Sequence, residues 1–278
     1  MAREPPLPAD MPYPVKGFLE TSFSDWPGRV VAVLFLPSCN LRCPFCHNHG
    51  LVLQPEKFEN FPWEAILNGL RKRRGWIDGV CLTGGEPTLH PWLPRLIREL
   101  KSDRGLTPAG TPLGVKLDTN GTRPEVLEEL LAEGLIDYVA MDLKAPLEPG
   151  RYSALTGVTW EEERIERVEA SIRILLEGRV DHEFRSTVVP TLLEEEEVYA
   201  MARTVRGTCR YTLQNFNPRD ALDERLRTLR PLDPAELHRM QERVNGIIRN
   251  EGSGFEFRVP GSRTEISSFR LQGAGQRA

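Results

Sequence analysis

The residues best suited to chemistry in this 278-residue chain are three cysteines in one short segment. Cys39, Cys43 and Cys46 stand in the run Cys-Asn-Leu-Arg-Cys-Pro-Phe-Cys, with three residues in the first gap and two in the second. Thiolates are soft ligands that suit iron–sulfur clusters and zinc. The spacing lets one loop reach three corners of a cubic 4Fe–4S cluster, which leaves the fourth iron open to a reacting molecule.

A structural zinc site is the alternative metal centre for these thiols. Three cysteines with His47 or His49 would satisfy tetrahedral zinc. Zinc frameworks usually bring a second ligand pair from a distant segment, and the sequence offers no such pair. The other two cysteines, Cys81 and Cys209, stand alone in apolar runs, where we expect small buried hydrophobic side chains. We therefore favour the iron–sulfur interpretation.

Composition is that of an ordinary soluble globular protein and narrows the possible partners. The chain is 40% hydrophobic and 27% charged, and 36 basic against 40 acidic residues give a net charge of −4. This balance does not predict a phosphate-coating surface, so we expect no obligatory nucleic-acid partner. We find no apolar run of signal-peptide or membrane-span length, which predicts a cytoplasmic protein with no membrane partner.

The elements that must position the cysteines alternate between strands and helices. Apolar runs of strand length lie at 30–36, 79–83, 113–118, 136–142, 182–189 and 209–216, with a further short strand at 255–259. Helical periodicity lies at 62–70, 91–100, 124–132, 161–177, 194–205 and 237–248, and a loop is predicted at 146–157. Such alternation predicts an α/β fold with parallel strands, curled into a partial (β/α)6 TIM-type barrel.

We expect this barrel to form a single domain. The core is predicted at 16–230, after an N-terminal extension at 1–15. A C-terminal helix and tail at 231–278 would cover the barrel edge. Residues 1–15 are rich in proline and 262–278 are polar and rich in glycine, so both segments are expected to pack poorly.

Unusual polar residues follow the predicted strands. In α/β barrels the chemistry lies on loops at the carboxyl ends of the strands. The cysteine loop follows the first predicted strand, and the later strands lead to 83–87, 118–121, 142–144, Arg185 and 214–217. We therefore expect these polar side chains to converge on one rim of the barrel.

Each of these polar residues also has a structural interpretation. Asp118 and Asn120 could cap the following helix, because both residue types are strong capping residues. Lys144 could be an exposed lysine in a loop, and turn chemistry alone could explain Asp25. Arg185 is harder to explain, since it lies within an apolar strand and an unpaired buried charge is costly.

The cysteine loop and a second motif together resemble the radical S-adenosylmethionine superfamily. Its signature is CxxxCxxC with an aromatic residue, here Phe45, before the third cysteine, and Thr-Gly-Gly-Glu-Pro after the second strand resembles its GGE motif. The resemblance implies a 4Fe–4S cluster with three cysteine ligands, whose open iron chelates S-adenosylmethionine. Gly84, Gly85 and Glu86 would hold the methionine amino group, and Phe45 would lie near the adenine. The reduced cluster would cleave the cofactor to methionine and a 5′-deoxyadenosyl radical.

Further stretches resemble the glycyl-radical-enzyme activating proteins, and most closely those of anaerobic ribonucleoside-triphosphate reductase. They are 17–28, 46–48, 117–121, 141–144 and 184–190, and the similarity covers about residues 16–230. The resemblance implies that the radical abstracts hydrogen from a glycine of a partner glycyl radical enzyme. It also implies a flavodoxin or ferredoxin-type reductant.

The resemblance assigns roles to the polar residues of the rim. Asp118, Thr119 and Asp142 would lie beside the methionine carboxylate, around a monovalent cation. Lys144 and Arg185 would contact S-adenosylmethionine, with Lys144 counted among the catalytic residues.

Three further residues complete the predicted site. His47 and Asn120 are expected among the cofactor-binding residues, and Asp25 would be catalytic and face the glycine-bearing peptide. A radical enzyme acting on a small molecule, nucleotide or peptide is the alternative function. A zinc-binding or electron-transfer protein is a more distant one.

Overall fold

The computed structural model describes residues 13–108 and 112–249, so the predicted strand at 255–259 and the segment 262–278 lie outside the described residues. In the described part, one sheet contains seven strands in the order of the chain. They are β1 (Gly17–Ser22), β2 (Val31–Leu36), β3 (Gly79–Gly84), β4 (Gly114–Thr119), β5 (Tyr138–Asp142), β6 (Asp181–Val188) and β7 (Tyr211–Asn215). Strands β2 to β7 pair in parallel, which confirms the predicted α/β fold as an open, partial barrel.

Strand β1 was not predicted, and it runs antiparallel to β2. Gly17 pairs with Phe35 and Ser22 pairs with Val31. Its sequence, Gly-Phe-Leu-Glu-Thr-Ser, lacks an apolar run because β1 is an edge strand, and most of its side chains are exposed or half-buried. Edge strands of this kind give a weak apolar signal.

Eight α-helices connect or flank the strands in the described residues. They are α1 (His49–Leu53), α2 (Trp63–Lys72), α3 (Leu93–Ser102), α4 (Pro124–Ala132), α5 (Pro149–Thr156), α6 (Glu162–Leu176), α7 (Glu195–Thr204) and α8 (Pro234–Arg249). Helix α8 packs against α7 and β7 at the end of the sheet.

Helix α5 lies where the sequence predicts a loop, so that prediction is wrong. The helix begins with Pro149 in its first turn and buries Tyr152 and Leu155. These two apolar residues stand three apart, which is too short a pattern to recognise alone. The helix ends at Gly157, whose φ of 67° is left-handed, and an added Cβ there would lie 2.3 Å from the Arg42 carbonyl oxygen. Glycine therefore lets α5 end directly against the cysteine loop.

One face of the sheet, here called the inner face, carries Val31, Val33 and Cys81. Trp26, in the loop between β1 and β2, covers the amino ends of β3 and β4. Its indole packs tightly against Gly114, where an added Cβ would lie 3.2 Å from the ring. The opposite face, covered by helices, contributes to the main apolar core.

Replacing Trp26 by alanine should destabilise the protein by about 3–5 kcal/mol, because the buried indole leaves a cavity across two strands. Trp26 is 2% exposed, whereas Trp76 is 84% exposed. Trp76→Ala is therefore the matched control and should change stability by about 0.5 kcal/mol or less. Urea unfolding followed by circular dichroism measures both. Equal effects of the two substitutions would contradict the assigned packing.

Three side chains differ from expectation in their burial. Tyr13 and Val15, within the segment expected to pack poorly, are buried in the core. The Tyr13 hydroxyl donates to Glu99 Oε2 at 2.9 Å, which ties this segment to α3. Cys209 is exposed just before β7, so the expectation of a buried side chain is wrong there, while Cys81 is buried as expected. Within the described residues, no helix combines the length and apolarity needed to cross a bilayer.

Candidate active site

The cysteine loop leaves the carboxyl end of β2 and is held by backbone hydrogen bonds. The Arg42 amide donates to the Thr156 carbonyl at 2.7 Å, which fixes the loop to the end of α5. The Arg42 guanidinium donates to the Cys39 carbonyl at 2.7 Å, and the Cys46 amide donates to the Cys43 carbonyl at 3.0 Å. These bonds fold the loop back on itself, so that all three thiols line one cavity.

Burial dominates the protonation of these thiols. It raises the pKa of Cys39 to about 12, with a further contribution from Glu86. It raises the pKa of Cys43 to about 11, against the opposing charge of Lys144. Metals bind the thiolate, so metal binding at this loop would release protons. In the described part of the chain, no three His, Cys, Asp or Glu side chains surround a single ion position. A 4Fe–4S cluster differs in that each thiolate binds its own iron.

The segment Gly84 to Glu86 follows β3 and packs against the start of the cysteine loop. The Glu86 amide donates to the Ser38 carbonyl at 2.8 Å, and Asn48 Nδ2 donates to the Gly84 carbonyl at 2.9 Å. Gly84 has a φ of 111°, and a Cβ on Gly85 would lie 1.7 Å from the Ser38 oxygen. Both glycines are required by this close approach of two backbones.

The Glu86 side chain joins the ends of β3 and β4. It is 1% exposed, and its carboxylate accepts from Thr119 Oγ1 at 2.8 Å and from the Asn120 amide at 2.7 Å. The Thr88 amide and hydroxyl also donate to it. Burial raises the pKa of Glu86, and these hydrogen bonds oppose the rise. The carboxylate is therefore a structural clamp between two loops that line the cavity.

Glu86→Gln should reduce stability by about 2–3 kcal/mol, because one carboxylate oxygen becomes an amide that donates towards existing donors. Glu129→Gln is the control, since Glu129 is exposed on α4 and should leave the midpoint unchanged. Thermal unfolding of the two variants measures the difference. An unchanged midpoint for Glu86→Gln would show that the carboxylate does not clamp the loops.

A network of amides lies next to Cys39. Asn120 Nδ2 donates to Asn40 Oδ1 at 2.9 Å and lies 3.8 Å from Cys39 Sγ. Asn40 Nδ2 in turn donates to Thr122 Oγ1 at 2.8 Å. Helix α4 has Arg123 as its N-cap residue, so neither Asp118 nor Asn120 caps it. The capping interpretation of these two residues is wrong.

Charged side chains form a chain of contacts on the inner face, here called the charge ladder and defined as Lys116, Asp118, Arg185, Asp142 and Lys144. Arg185 Nη1 lies 3.3 Å from Asp118 Oδ2, and its Nε lies 2.9 Å from Asp142 Oδ1. Lys144 Nζ lies 2.9 Å from Asp142 Oδ2, and Lys116 Nζ contacts Asp118 Oδ1. Burial would raise the pKa of Asp142, but Arg185 and Lys144 lower it to about 2. The carboxylate therefore stays ionised, and Lys144 is paired rather than exposed.

The cavity brings together most of the predicted site residues at the carboxyl ends of β2 to β5. Those that line it are Cys39, Cys43, Phe45, Cys46, His47, Gly84, Gly85, Glu86, Asp118, Thr119, Asn120, Asp142 and Lys144. Arg185 is joined to it through Asp118 and Asp142. Asp25 does not line it: this residue precedes β2, at the other end of the strand, where its carboxylate accepts from Ser22 Oγ.

Two residues at the cavity were not among the predicted site residues: Asn48 donates a hydrogen bond to the Gly84 carbonyl, and Thr187 adds a polar group from β6. Gln214 of β7 also lines the cavity and belongs to the segment 214–217 that was expected on the rim. Lys116 carries a signal that could have found it, since it is a lysine inside the apolar run 113–117. A charge within a central strand needs a buried partner, as with Arg185.

Two curated relatives match different lengths of the chain. A Methanocaldococcus jannaschii protein, named as a candidate glycyl-radical enzyme activating enzyme, is 33% identical over 237 residues, which are 85% of this chain and 93% of that protein. The GTP 3′,8-cyclase of Chlorobaculum tepidum is 28% identical over 149 residues, which are 52% of this chain and 40% of the cyclase. The first similarity therefore spans nearly a whole relative, and the second spans less than half of one.

The fold also has a solved counterpart. Coproporphyrinogen III oxidase from Escherichia coli, described as a radical SAM enzyme, superposes with a TM-score of 0.51 at 16% identity, over 78% of this chain and 51% of the oxidase. This likeness supports the fold. The family model described as the Radical SAM superfamily matches residues 33–205, the span that contains the cysteine loop and the charge ladder. The chain is therefore a member of the radical SAM superfamily, as the two motifs predicted.

Proposed function

We propose that this chain is a glycyl-radical-enzyme activating enzyme. Cys39, Cys43 and Cys46 would hold a 4Fe–4S cluster, and S-adenosylmethionine would bind beside it in the same cavity. The observation that carries this proposal is the convergence of three thiols with Gly84–Glu86 on one cavity in a radical SAM fold. The two groups come from consecutive parallel strands, β2 and β3, and are joined by direct backbone hydrogen bonds.

The residues fit such a cofactor set. Three soft sulfur ligands lie on one short loop. Burial raises the pKa of the Cys43 and Cys46 thiols, and the nearby charge of Lys144 opposes that rise. A nearby cation favours thiolates and the negative charge of a thiolate-bound cluster. Phe45 is buried, and its ring centroid lies 6.0 Å from Lys144 Nζ. Phe45 would exclude water beside the third cysteine.

When bound, the reduced cluster would cleave S-adenosylmethionine and supply a 5′-deoxyadenosyl radical. The chain's own residues would then position the reacting groups. Gly84, Gly85 and Glu86 would hold the methionine amino group, and the charge ladder would fix the carboxylate end. His47 and Asn120 would complete the cofactor contacts, and Asp25, which lies outside this cavity, would contact the glycine-bearing peptide away from the cofactor.

The activase proposal is favoured over a small-molecule enzyme by two observations. The similarity to the candidate activating enzyme covers 93% of that protein, whereas the cyclase similarity covers 40% of the cyclase. Within residues 13–108 and 112–249 the sheet is also open, with an antiparallel edge strand β1 rather than a closed barrel. An open sheet gives access for a segment of another protein. We further propose a cytoplasmic location, where thiols stay reduced, and a flavodoxin or ferredoxin-type electron donor.

Electron paramagnetic resonance tests this proposal. The anaerobically reconstituted protein is reduced, then mixed with S-adenosylmethionine and a glycyl radical enzyme from the same genome. We expect a glycyl radical signal on the partner, and no signal when the partner's glycine is replaced by alanine. Cleavage of S-adenosylmethionine without a glycyl radical on any such partner would favour the small-molecule alternative, of which a nucleotide substrate is the form suggested by the cyclase similarity.

A further inference from the structure

Lys116 is a charged residue buried in the middle of the sheet. It lies on β4 between Cys81 of β3 and Tyr138 of β5, which are its register partners. Its relative exposure is 0%. Removing an ammonium group from water is expensive unless a partner of opposite charge is in contact. The position of Lys116 is therefore explained only by what its side chain contacts.

The contact of Lys116 is Asp118, one of the two carboxylates expected beside the methionine carboxylate. Lys116 Nζ contacts Asp118 Oδ1 and lies 3.8 Å from Cys81 Sγ. The other oxygen, Oδ2, accepts from Thr83 Oγ1 at 3.1 Å and from Arg185 Nη1 at 3.3 Å. Both oxygens of Asp118 are thus occupied by groups of the chain itself.

Asp142 is occupied in the same way. Its Oδ1 accepts from Arg185 Nε at 2.9 Å, and its Oδ2 accepts from Lys144 Nζ at 2.9 Å. The charge ladder therefore sets three cationic side chains against two carboxylates. Glu183, which lies on β6 and hydrogen-bonds to Thr212, adds one further negative charge next to Arg185. The cluster as a whole then carries no excess of negative charge.

These contacts do not fit a bound monovalent cation. Hard cations are held by oxygen ligands, and carboxylates are the strongest of these in proteins. Here all four carboxylate oxygens of Asp118 and Asp142 accept hydrogen bonds from cationic or hydroxyl donors. An added cation would approach carboxylates that are already paired with cationic side chains, and it would meet the repulsion of those side chains.

We infer that Lys116 is a positioning residue that takes the place of a metal cation at the Asp118–Asp142 pair. Its ammonium neutralises Asp118 through Oδ1, while Arg185 contacts both Asp118 and Asp142. The pair is then held ready for the methionine end of S-adenosylmethionine without sodium or potassium. The part of this inference that concerns S-adenosylmethionine rests on the proposed function.

Thermal unfolding of the cluster-free full-length protein tests whether Lys116 takes the place of a metal cation, and this test does not depend on any radical chemistry. The melting temperature is compared in sodium, potassium and choline chloride at equal ionic strength. A bound ion stabilises the state that binds it. Because the wild type is inferred to bind no sodium or potassium at this pair, its melting temperature should be the same in all three salts. Lys116→Gln should melt lower and recover part of the loss in sodium or potassium. Lys116→Arg, which keeps the charge, should stay indifferent to the salt.

A wild type that is stabilised by sodium or potassium relative to choline would overturn the inference, and this comparison needs no variant that could fail to fold. In the reconstituted protein, S-adenosylmethionine affinity should change by less than about twofold between the salts. A larger gain in sodium or potassium would also overturn it. If the reconstituted protein binds no S-adenosylmethionine in any salt, the proposed function fails, while the melting comparison still decides the role of Lys116.

Discussion

Cys43→Ala should abolish assembly of the proposed 4Fe–4S cluster, while Cys209→Ala should leave it intact. Cys43 is buried in the centre of the cysteine loop and lines the cavity with Cys39 and Cys46. Losing one of three thiolates leaves one iron without its protein ligand. No other described cysteine lines that cavity and could replace it. Cys209 is exposed beside β7 and does not line the cavity, so it is the matched control.

Iron and sulfide analysis after anaerobic reconstitution measures this effect. The wild type and Cys209→Ala should each hold about four irons and four sulfides with the broad visible absorption of a cluster. Cys43→Ala should hold close to none, and its circular dichroism should stay that of the wild type, since a buried cysteine packs as a small hydrophobe. A colourless wild type containing one zinc would instead establish the zinc alternative.

Gly85→Ala should disrupt the site through the backbone alone. An added Cβ would lie 1.7 Å from the Ser38 oxygen and 3.0 Å from the Pro37 oxygen, both backbone atoms that cannot rotate away. The hydrogen bond from the Glu86 amide to the Ser38 carbonyl would break, and the end of β3 would separate from the cysteine loop. We expect destabilisation of about 3 kcal/mol or more, as for severe overpacking.

Urea unfolding gives the stability change, and equilibrium dialysis of the reconstituted variant gives S-adenosylmethionine binding. Binding should fall by about a hundredfold or more, because the loss of geometry removes several contacts together. Gly150→Ala is the control, since nothing lies within 4 Å of an added Cβ there and alanine favours the helix α5. Wild-type binding by Gly85→Ala would contradict the proposed use of Gly84 to Glu86.

The sequence predicted which polar residues share one cavity better than it predicted some of the elements around that cavity. Parallel strands place their carboxyl ends on one rim, so any polar residue after an apolar run falls near the others. Asp118, Asp142 and Lys144 follow that rule, and all three line the cavity with the cysteines. Asp25 does not, because its loop precedes a strand. The rule that site residues follow the strands therefore predicts that Asp25 lies away from the cavity.

The missed elements are those whose signals are short or set by distant contacts. Strand β1 is a half-exposed edge, and α5 buries too few residues for a periodic pattern. The carbonyl of Thr156, the last residue of α5, accepts a hydrogen bond from the Arg42 amide of the cysteine loop, a contact between segments more than a hundred residues apart in the chain. The contact of Arg185 with Asp118 could not be predicted from sequence alone, since the two residues lie 67 positions apart in the chain.

The most direct test of the account is the formation of 5′-deoxyadenosine. The reconstituted wild type is reduced with dithionite under anaerobic conditions in the presence of S-adenosylmethionine, and the products are separated by chromatography. We expect 5′-deoxyadenosine and methionine from the wild type and none from the alanine variants of Cys39, Cys43 or Cys46. Deoxyadenosine formation that persists in these variants, or its absence from a wild type that holds a reduced 4Fe–4S cluster, would contradict the account.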